Sequence, residues 1–378
     1  MTQGGETTDF IVIGAGMAGA SVAAELARSA RVILLERETQ PGYHTTGRSA
    51  ALFTVAYGPP AIRALSRASH AFFRGEGPGE PPAGLIHPRG VLFVARTDQT
   101  DETAALQAEL GDAVEPVPTA TAQDMVPLLR PEYLASALID LSAADIEVHG
   151  LHQHYLKSFR ARDGALHLKS EVLGISRAGG DWVVETRQGP LRAPRVINAA
   201  GAWADEVAQM AGVRPLGLRP LRRTALLVAP PTGVVPDRWP MVVGVAEDFY
   251  LKPDAGKLLI SPADETPSEP CDAQPEELDV AICVDRIETA FDIQVRRIEH
   301  KWAGLRSFLP DGTPAVGYDA EAQGFFWLAG QGGYGIQTAP AMARAAAALA
   351  LGGPIPDDIA AEGVTEAGLS PMRPALTP

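Results

Sequence analysis

The glycine pattern near the N-terminus constrains the fold more than any other feature of the sequence. Residues 9–14 read DFIVIG, a short apolar run rich in β-branched residues that predicts a buried parallel strand. Gly14, Gly16 and Gly19 follow in the spacing G-x-G-x-x-G, and they open a segment with the composition of a helix. Gly14 permits a tight turn, Gly16 lets the backbone approach a pyrophosphate, and Gly19 lets the helix pack on the strand.

A second apolar run, RVILLE, follows this helix and ends at Glu36, which lies 22 residues after Gly14. An acid near this position binds the ribose hydroxyls of a dinucleotide. The phosphate groups lie at the N-terminus of the helix, where free N–H groups and the helix dipole favour negative charge. The glycine pattern alone also suits a glycine-rich turn in any α/β protein. In the order strand, turn, helix, strand and acid, it predicts dinucleotide binding.

Charge and composition argue against several classes of protein. The chain has 378 residues, enough for two domains, and its formal net charge of −14 argues against nucleic acid or an anionic membrane surface as a partner. No apolar run is long enough to span a bilayer, and the acidic, polar N-terminus lacks the chemistry of a secretory signal. Cys271 and Cys283 are the only cysteines, which argues against a disulfide framework and a zinc site. We therefore expect a cytoplasmic protein without a membrane span.

Residues 43–50, YHTTGRSA, stand where a nicotinamide dehydrogenase would build another helix and strand. They pack no core, but they offer hydroxyls, backbone N–H groups and one guanidinium close together. This stretch resembles the second flavin-binding segment of the D-amino acid oxidase and glycine oxidase superfamily, and the chain looks most like the bacterial D-arginine dehydrogenase branch. The resemblance covers nearly the whole chain and rests on nine blocks in the same order: VIGAGMAGAS, LLERE, PGYHTTGRSAA, VAYG, VINAAGAWAD, RPLGLRPLRRTA, FYLKPDAG, WAGLRSF and GQGGYGIQTAPAM.

The resemblance implies an α/β FAD-binding Rossmann-like domain interleaved with an α+β substrate domain built on an antiparallel sheet, of the glutathione-reductase type and D-amino acid oxidase-like. Residues 1–80, 146–214 and 301–378 would form the FAD-binding domain, and residues 81–145 and 215–300 the substrate-binding domain. Residues 215–300 read as the remainder of the antiparallel sheet. The Ala-rich C-terminal helix would begin near Ile336, with its positive end facing the flavin pyrimidine.

The same resemblance implies FAD, bound non-covalently, as the cofactor. Some distant relatives attach FAD to a histidine near His44, but the dehydrogenase-like pattern argues against a covalent bond. Residues 45–52 would wrap the ribityl and diphosphate groups and part of the flavin ring. The expected cofactor-binding residues are Gly14, Gly16, Ala18, Gly19, Glu36, Arg37, Thr45, Thr46, Gly47, Arg48, Ser49, Ala50, Ala51, Leu52, Val172, Ala199, Gly201, Trp203, Gly304, Gly332, Gly333, Tyr334, Gly335, Ile336, Gln337 and Thr338.

Three histidines invite a metal-site interpretation. His149, His152 and His154 form the pattern H-x-x-H-x-H. On a helix, His149 and His152 would share a face that excludes His154, and no nearby acidic residues complete a ligand set. We therefore predict no metal.

Arginines in apolar segments are candidates for binding a substrate carboxylate, because a planar guanidinium pairs with a carboxylate in bidentate fashion. Arg222, Arg223 and Arg306 each occur in a strand-like, otherwise apolar segment. For any such arginine, an internal ion pair with Asp or Glu is the alternative. The resemblance favours Arg223 and Arg306 as the ligands of the carboxylate.

The resemblance adds two tyrosines and a glycine turn to this site. Tyr57 and Tyr250 would close over the carboxylate, although each could also be an ordinary half-buried core tyrosine. Gly333 and Gln337 would place oxygens beside the substrate amine. In the implied reaction, a hydride passes from Cα to the flavin, and the imino acid hydrolyses to a 2-oxo acid and ammonia. Oxygen, a quinone or another acceptor would then reoxidise the flavin, and no side-chain nucleophile is required.

The substrate side-chain pocket departs from the D-arginine dehydrogenase pattern. In that branch, a strand shortly after a Pro-Arg pair supplies a Glu for the distal cation. Here the region reads HPRGVLFVART, Val91 occupies the expected position, and no acid follows until Asp98. A pocket lined by Leu52, Val91, Met241 and Val243 would desolvate a cation without pairing it. We therefore expect a preference for neutral or hydrophobic D-amino acids.

Three alternatives stay open. The chain could be a D-arginine dehydrogenase despite the missing Glu, or an enzyme of the same fold that oxidises secondary amines such as sarcosine-like or opine-like compounds. It could also be a flavin-binding module without turnover, although the arginines and tyrosines argue against that function.

Overall fold

The computed structural model describes residues 6–78 and 81–376, so the predicted domain boundary at residue 80 lies outside these ranges. The strands run in chain order as β1 (Glu6–Thr7), β2 (Phe10–Ile13), β3 (Val32–Leu35), β4 (Leu52–Phe53), β5 (Ile86–Pro88), β6 (Val91–Ala95), β7 (Glu115–Val117), β8 (Ser136–Asp140), β9 (Ala144–Ile146), β10 (Ala165–His167), β11 (Val172–Ala178), β12 (Asp181–Thr186), β13 (Gly189–Ala193), β14 (Arg195–Asn198), β15 (Arg219–Val228), β16 (Met241–Gly244), β17 (Tyr250–Asp254), β18 (Lys257–Ser261), β19 (Thr266–Pro267), β20 (Ile298–Phe308), β21 (Ala315–Tyr318), β22 (Phe325–Ala329) and β23 (Gln331–Gly332).

The helices run as α1 (Met17–Leu26), α2 (Pro60–Phe73), α3 (Thr100–Leu110), α4 (Thr119–Met125), α5 (Val148–Arg160), α6 (Ala204–Met210), α7 (Glu277–Ala290), α8 (Ala339–Ala350), α9 (Asp357–Ala360) and α10 (Glu366–Leu369). Within the described ranges, no helix is both long enough and apolar enough to cross a membrane.

A six-stranded sheet with the order β10-β3-β2-β14-β22-β21 carries the glycine turn. Its strand pairs are parallel except at the β21 edge. Along β2, Phe10 and Val12 pack with α1, α5 and α8 on one face, whereas Ile11 and Ile13 pack with β12 and α6 on the other. Because both faces are covered, the strands are apolar throughout, which explains the continuous hydrophobic runs in the sequence.

A larger sheet has the order β23-β20-β15-β18-β17-β16-β6-β8-β7, and β19 pairs with β15 beside this path. It is antiparallel except between β6 and β16. One face packs against α4 and α7 through residues such as Leu226 and Val228. The other face carries Ala225 and Tyr250, which cluster with Ala50 of the predicted flavin-binding segment. The alternation along β15 therefore directs every second side chain towards that segment.

Two smaller sheets complete the architecture of the described residues. Strands β1, β13, β12 and β11 form one, with the order β1-β13-β12-β11, and it covers a face of the six-stranded sheet. Strands β4, β9 and β5 form the other, with the order β4-β9-β5. Leu52 in β4 pairs with Asp145 in β9, so this sheet joins the end of the predicted flavin-binding segment to the chain that returns from β8.

The structure differs from the sequence-based expectations at three places. Residues 277–290 form helix α7 within the range predicted to be sheet, because Val280, Cys283 and Ile287 recur at helical spacing and face the large sheet. Helix α8 begins at Ala339 rather than near Ile336, with a proline in its first turn. Strand β20 belongs to the large sheet along its whole length and crosses the predicted domain boundary between residues 300 and 301.

Candidate functional site

A cavity of about 300 Å³ lies between the glycine turn and the large sheet. We call it the central cavity. Most of the predicted site residues line it, namely Gly14, Gly16, Ala18, Glu36, Arg37, Thr45, Thr46, Arg48, Ser49, Ala50, Val172, Ala199, Gly201, Trp203, Arg223, Tyr250, Gly304, Arg306, Gly332, Gly333, Gly335 and Ile336. The wall also contains His44, which was weighed only for covalent attachment, and residues that the sequence did not single out, among them Met17, Ser170, Glu206 and Gln331.

The glycine turn has a conformation that only glycine tolerates at its first position. Gly14 has φ +100°, and a Cβ there would lie 2.5 Å from the carbonyl oxygen of Ala199. Helix α1 then begins at Met17, whose backbone N–H donates to Thr46 Oγ1 at 2.9 Å. The turn, the N-terminus of α1 and Thr46 therefore form one wall of the cavity, with the positive end of a helix dipole directed into it.

Glu36 directly follows β3 and has a buried carboxylate. Its Oε2 accepts from the N–H of Ala15 at 3.2 Å, and its Oε1 accepts from the N–H of Glu38 at 3.0 Å. Burial raises the pKa of Glu36, and these two backbone donors oppose that rise. The carboxylate faces the cavity beside the glycine turn, where it can also accept hydrogen bonds from a ligand's hydroxyl groups.

Residues 45–50 are tied to the large sheet by side-chain contacts. Thr45 Oγ1 donates to the carbonyl of Leu305 at 2.7 Å, and Trp302 Nε1 donates to the carbonyl of Arg48 at 2.9 Å. The Arg48 guanidinium donates to the carbonyls of Ala273 and Ala303 and pairs with the carboxylate of Asp272. Arg48 lines the cavity, but its charge is already engaged by the protein. Its role is therefore to fasten this segment to β20.

Aromatic and basic side chains surround the far end of the cavity. The Arg37 guanidinium lies over the Trp203 ring, 4.7 Å from its centroid. The His44 ring lies 4.7 Å from the same indole, and its Nε2 is 2.9 Å from Glu38 Oε1. Among the described residues, His44 Nδ1 has no hydrogen-bond partner although it is buried. Val172 lines the same region at the start of β11.

Arg306 occupies the other end of the central cavity. Its guanidinium lies against Gly333, where a Cβ would come within 3.0 Å of Nη1. Burial disfavours its charge, but the neighbouring oxygens of Tyr57 and Tyr250 favour it, and the pKa of Arg306 lies above its ordinary value. In the part of the chain that the structure describes, Arg306 Nη1 is buried without a hydrogen-bond partner. A buried charged donor without a partner is costly, so a ligand acceptor is expected here.

Arg222 and Arg223 are neighbours in β15 and face opposite sides of the sheet. Arg223 pairs in register with Gly304 of β20 and lines the cavity. Its Nε donates to the carbonyl of Asp264 at 2.8 Å and its Nη2 to Glu265 Oε1 at 2.9 Å. Burial, followed by repulsion from Arg306, lowers the pKa of Arg223.

On the opposite face, Arg222 is buried among acids. It donates to Asp279 Oδ2 at 2.9 Å and pairs with Glu276. Both adjacent arginines therefore have an internal ion pair, but of the two it is Arg223 that also lines the central cavity.

The tyrosines cluster around Arg306. The Tyr57 and Tyr334 rings meet edge to face with their centroids 4.9 Å apart, and Tyr334 also meets Phe308. Tyr250 is buried and lines the cavity. Tyr57 and Tyr334 are half-buried and are not among the lining residues, but both lie next to the guanidinium of Arg306.

Gln337 is placed differently from the prediction. Its side chain is buried, its Oε1 accepts from the N–H of Thr54 at 3.2 Å, and its Nε2 donates to Ser66 Oγ at 2.9 Å. Both ends of the amide are therefore engaged by the protein, and Gln337 does not line the cavity. The side-chain oxygen of Gln337 therefore accepts a hydrogen bond from the backbone of Thr54 rather than from a substrate amine. Gly19, Gly47, Ala51, Leu52 and Thr338 also lie outside the lining and support it from behind.

The four predicted side-chain pocket residues lie outside the lining of the central cavity, three of them on the neighbouring strands β6 and β16 and Leu52 in a different sheet. Val91 in β6 pairs with Met241 in β16, and Val243 pairs with Tyr250, so these side chains share one face of the large sheet. Met241 and Val243 pack in the cluster that contains Tyr250. Leu52 lies in β4, across from Asp145.

Two acidic residues lie near this pocket, although neither was predicted there from the sequence around Val91. Asp140 is the cross-strand partner of Val91, and its carboxylate accepts from Thr54 and Ser142. Asp145 pairs with Lys252 at 2.9 Å and with Arg89 at 2.6 Å. The oxygens of both carboxylates therefore already accept hydrogen bonds or ion pairs from the protein. The sequence could have indicated these two acids only through their positions on the strands that flank Val91 and Leu52.

The three histidines do not converge. His152 is buried, with Nε2 3.0 Å from the carbonyl oxygen of Ala15, whereas His149 is exposed and His154 packs against Phe72. In the described part of the chain, no group of three or more His, Cys, Asp or Glu residues could hold a metal ion.

Comparison with known proteins identifies the family. The family model described as DAO, FAD dependent oxidoreductase, matches residues 9–349. The chain belongs to this family. FAD is therefore its cofactor, and the predicted fold class is confirmed as the DAO type with mixed α/β sheets.

Among its relatives, a glycine oxidase from Pseudomonas aeruginosa is 28% identical over 368 residues, which is 90% of this chain and 94% of that protein. Human mitochondrial dimethylglycine dehydrogenase is 28% identical over 274 residues, which is 69% of this chain but only 31% of that protein. The solved structure of L-proline dehydrogenase from P. horikoshii superposes with a TM-score of 0.79 at 22% identity, covering 96% of this chain and 99% of that one.

The residues present fit FAD. The glycine turn leaves the N-terminus of α1 open to a pyrophosphate, and Glu36 presents a carboxylate at the ribose position of the dinucleotide pattern. The cavity then continues along residues 45–50 to the glycine turn at 332–335 and Arg306. It is therefore continuous from the nucleotide end to the guanidinium of Arg306, whose Nη1 has no partner among the described residues.

Proposed function

We propose that the protein is an FAD-dependent dehydrogenase or oxidase of amino acids that binds the substrate carboxylate with Arg306. The observation that carries this proposal is the buried Arg306 Nη1 at the end of the cofactor cavity, which has no partner within residues 6–78 and 81–376. A carboxylate supplies the planar pair of acceptors that a guanidinium fork matches. Arg223 lies on the same face of the adjacent strand and would contact the same ligand.

Each side chain around Arg306 has a distinct task in this proposal. Arg306 and Arg223 hold the carboxylate, and the phenols of Tyr57 and Tyr250 donate to it. Gly333 leaves no room for a side chain beside the Arg306 guanidinium, and its backbone carbonyl accepts from the substrate amine and orients Cα towards the cofactor. FAD, when bound, supplies the acceptor for the hydride from Cα. The protein contributes orientation and a site shielded from water.

The residues around Val91 favour a neutral or hydrophobic side chain in the substrate. Val91 is 3% exposed and shares a face with Met241 and Val243, and an apolar group buried there gains about 25 cal/mol per Å². Asp140 and Asp145 lie nearby, but their oxygens already have donors from the protein. We therefore propose D-amino acids such as D-Leu, D-Met and D-Phe as substrates. D-Arg, which the D-arginine dehydrogenase resemblance would favour, ranks below them.

A second candidate is the oxidation of N-substituted amino acids at the same site. The relatives include proteins named for glycine, dimethylglycine and L-proline, which carry primary, tertiary and secondary amines respectively. Arg306 and Arg223 serve all of these equally, because every one of them presents a carboxylate. The nature of the amine would instead be selected near Gly333.

A substrate panel tests the proposal. Purified, FAD-loaded enzyme would be assayed by dye reduction with D- and L-amino acids, N-methyl amino acids and the corresponding amines that lack the carboxylate. We expect turnover of D-Leu, D-Met or D-Phe and no turnover of the decarboxylated amines. Equal rates with and without the carboxylate would refute the proposed role of Arg306, and preference for N-methyl substrates would favour the second candidate.

A further inference from the structure

Residues 54–59 connect β4 to α2 and carry Tyr57, yet they form neither helix nor strand. A connection of this kind is fixed only by contacts outside the regular hydrogen-bond ladders. The position of Tyr57 matters because its oxygen is one of the groups that stabilise the charge of Arg306. Something in the structure must therefore hold these residues in place.

Thr54 is the point at which the connection is held. Its Oγ1 donates to Asp140 Oδ2 at 2.6 Å, and its backbone N–H donates to Gln337 Oε1 at 3.2 Å. The N–H of Ala56 donates to Thr54 Oγ1 at 3.0 Å. One buried threonine hydroxyl therefore bonds both Asp140 of the large sheet and Ala56, the residue next to Tyr57.

Both partners of Thr54 are themselves fixed. Asp140 is 1% exposed and ends β8, where its Oδ1 accepts from the N–H of Ser142 at 2.8 Å and from its hydroxyl at 2.6 Å. Gln337 donates its Nε2 to Ser66 Oγ in α2, the helix that follows the connection. Thr54 is thus joined to the large sheet through Asp140 and to α2 through Gln337.

The other end of the connection is held by packing. Gly58 has φ +91°, and a Cβ there would lie 2.9 Å from the Tyr334 ring and from Ile62. Tyr57 lies between these two anchors and contacts Tyr334. We propose that Thr54, bound by Asp140 and Gln337, is a positioning residue that fixes Tyr57 beside Arg306 for carboxylate binding. This inference rests on the proposed carboxylate site.

A pair of substitutions tests the role of the hydroxyl. Thr54→Val keeps the shape but removes the bonds to Asp140 and Ala56, whereas Thr54→Ser keeps the hydroxyl. The binding of acetate and benzoate to the oxidised holoenzyme would be followed by flavin absorbance. We expect Thr54→Val to weaken this binding about 5- to 20-fold, consistent with one lost hydrogen bond to a buried charged group. KM for an amino-acid substrate should rise by the same factor with kcat changed less than threefold, and Thr54→Ser should restore both to within twofold.

The chain offers a matched control in Thr186. It has the same 7% exposure as Thr54, its Oγ1 donates to the carbonyl of Gly189 at 2.8 Å, and it accepts from the N–H of Gln188 at 3.1 Å. Thr186→Val removes an equivalent pair of bonds in β12, which does not line the cavity. It should leave the carboxylate affinity and KM unchanged.

Arg306→Met separates this inference from the proposed function. If Arg306→Met abolishes the carboxylate response and Thr54→Val leaves it at the wild-type affinity, Thr54 does not position the site and the inference is wrong. If Arg306→Met itself leaves the response unchanged, the carboxylate site is wrong. A Thr54→Val effect that Thr54→Ser does not restore, or that Thr186→Val reproduces, would also overturn the inference.

Discussion

Replacing Arg306 by methionine tests the carboxylate site most directly. Methionine preserves much of the length and apolar surface of the side chain but removes the charged fork. The guanidinium is buried, and its Nη1 has no protein partner in the described chain. We therefore expect the substitution to remove the ligand's partner while leaving few broken contacts within the protein.

The size of the effect follows from the burial of Arg306. Removing one member of a buried, hydrogen-bonded charge pair costs about 2–5 kcal/mol, or about 30-fold to several thousand-fold in kcat/KM. Because Nη1 is buried but Arg306 as a whole is only half-buried, we expect the middle of this range, about a few hundredfold. Arg223 already has Glu265 and the carbonyl of Asp264 as partners, so Arg223→Met should lose less.

Arg222 provides the control for this experiment, because it lies beside Arg223 in the same strand but faces α7. Arg222→Met leaves the buried Asp279 without its cation, which should lower the free energy of unfolding by about 3–5 kcal/mol. Per FAD-loaded molecule, kcat/KM should stay within twofold of wild type.

The assay measures FAD occupancy, thermal unfolding and dye-reduction kinetics for the three variants with the best substrate of the panel. The reasoning would be refuted if Arg306→Met, with full FAD occupancy, retained kcat/KM within fivefold of wild type. It would also fail if Arg222→Met impaired turnover as strongly as Arg306→Met while remaining folded.

Three further outcomes are expected. Glu36→Ala should weaken FAD affinity about 10- to 100-fold without changing the ranking of substrates, as measured by reconstitution of the apoprotein, because its carboxylate faces the nucleotide end of the cavity. Val91→Glu should raise kcat/KM for D-Arg relative to D-Leu at least tenfold, and no gain for D-Arg would argue against the placement of the side-chain pocket. Burial lowers the pKa of His152 below its usual 6.5, so the unfolded chain binds the proton more readily. The free energy of unfolding should therefore fall as pH drops below about 6.5 towards the folded pKa, by up to about 1.4 kcal/mol per pH unit. His152→Gln should remove that part of the pH dependence, as measured by urea unfolding at pH 5.5 and 7.5.

The glycine turn and the two neighbouring strands were predictable from sequence because their determinants are local. Gly14 is needed for its own φ, and β2 and β3 are apolar because both faces of their sheet are covered. Helix α7 was missed although its apolar residues have helical spacing, since the surrounding strands and prolines favoured a continuous sheet. The choice between these interpretations depended on the packing of Cys283 and Ile287 against the large sheet.

The positions of individual polar side chains depended on residues far away in the chain. Gln337 binds Thr54 and Ser66, which precede it by 283 and 271 residues, and nothing near Gln337 reveals these partners. Arg222 and Arg223 are adjacent and equally basic, and strand alternation predicts only that they face opposite sides. Arg222 pairs with Glu276 and Asp279, whereas Arg223 pairs with Glu265, and these acids lie 42 or more residues further along the chain.

The division of the large sheet has a consequence for how new specificities can arise in this chain. The strands with the two cavity arginines, β15 and β20, lie towards one end of the sheet, and β20 is fastened to the flavin-binding segment through Thr45 and Arg48. Val91 and Met241 lie on β6 and β16, separated from β15 by β18 and β17. Substitutions in β6 and β16 therefore leave both arginine strands unchanged, but Val243 pairs with Tyr250 and Val91 pairs with Asp140. A library confined to those two strands should diversify side-chain preference most freely at Met241, which pairs with Val91 rather than with a residue of the carboxylate site.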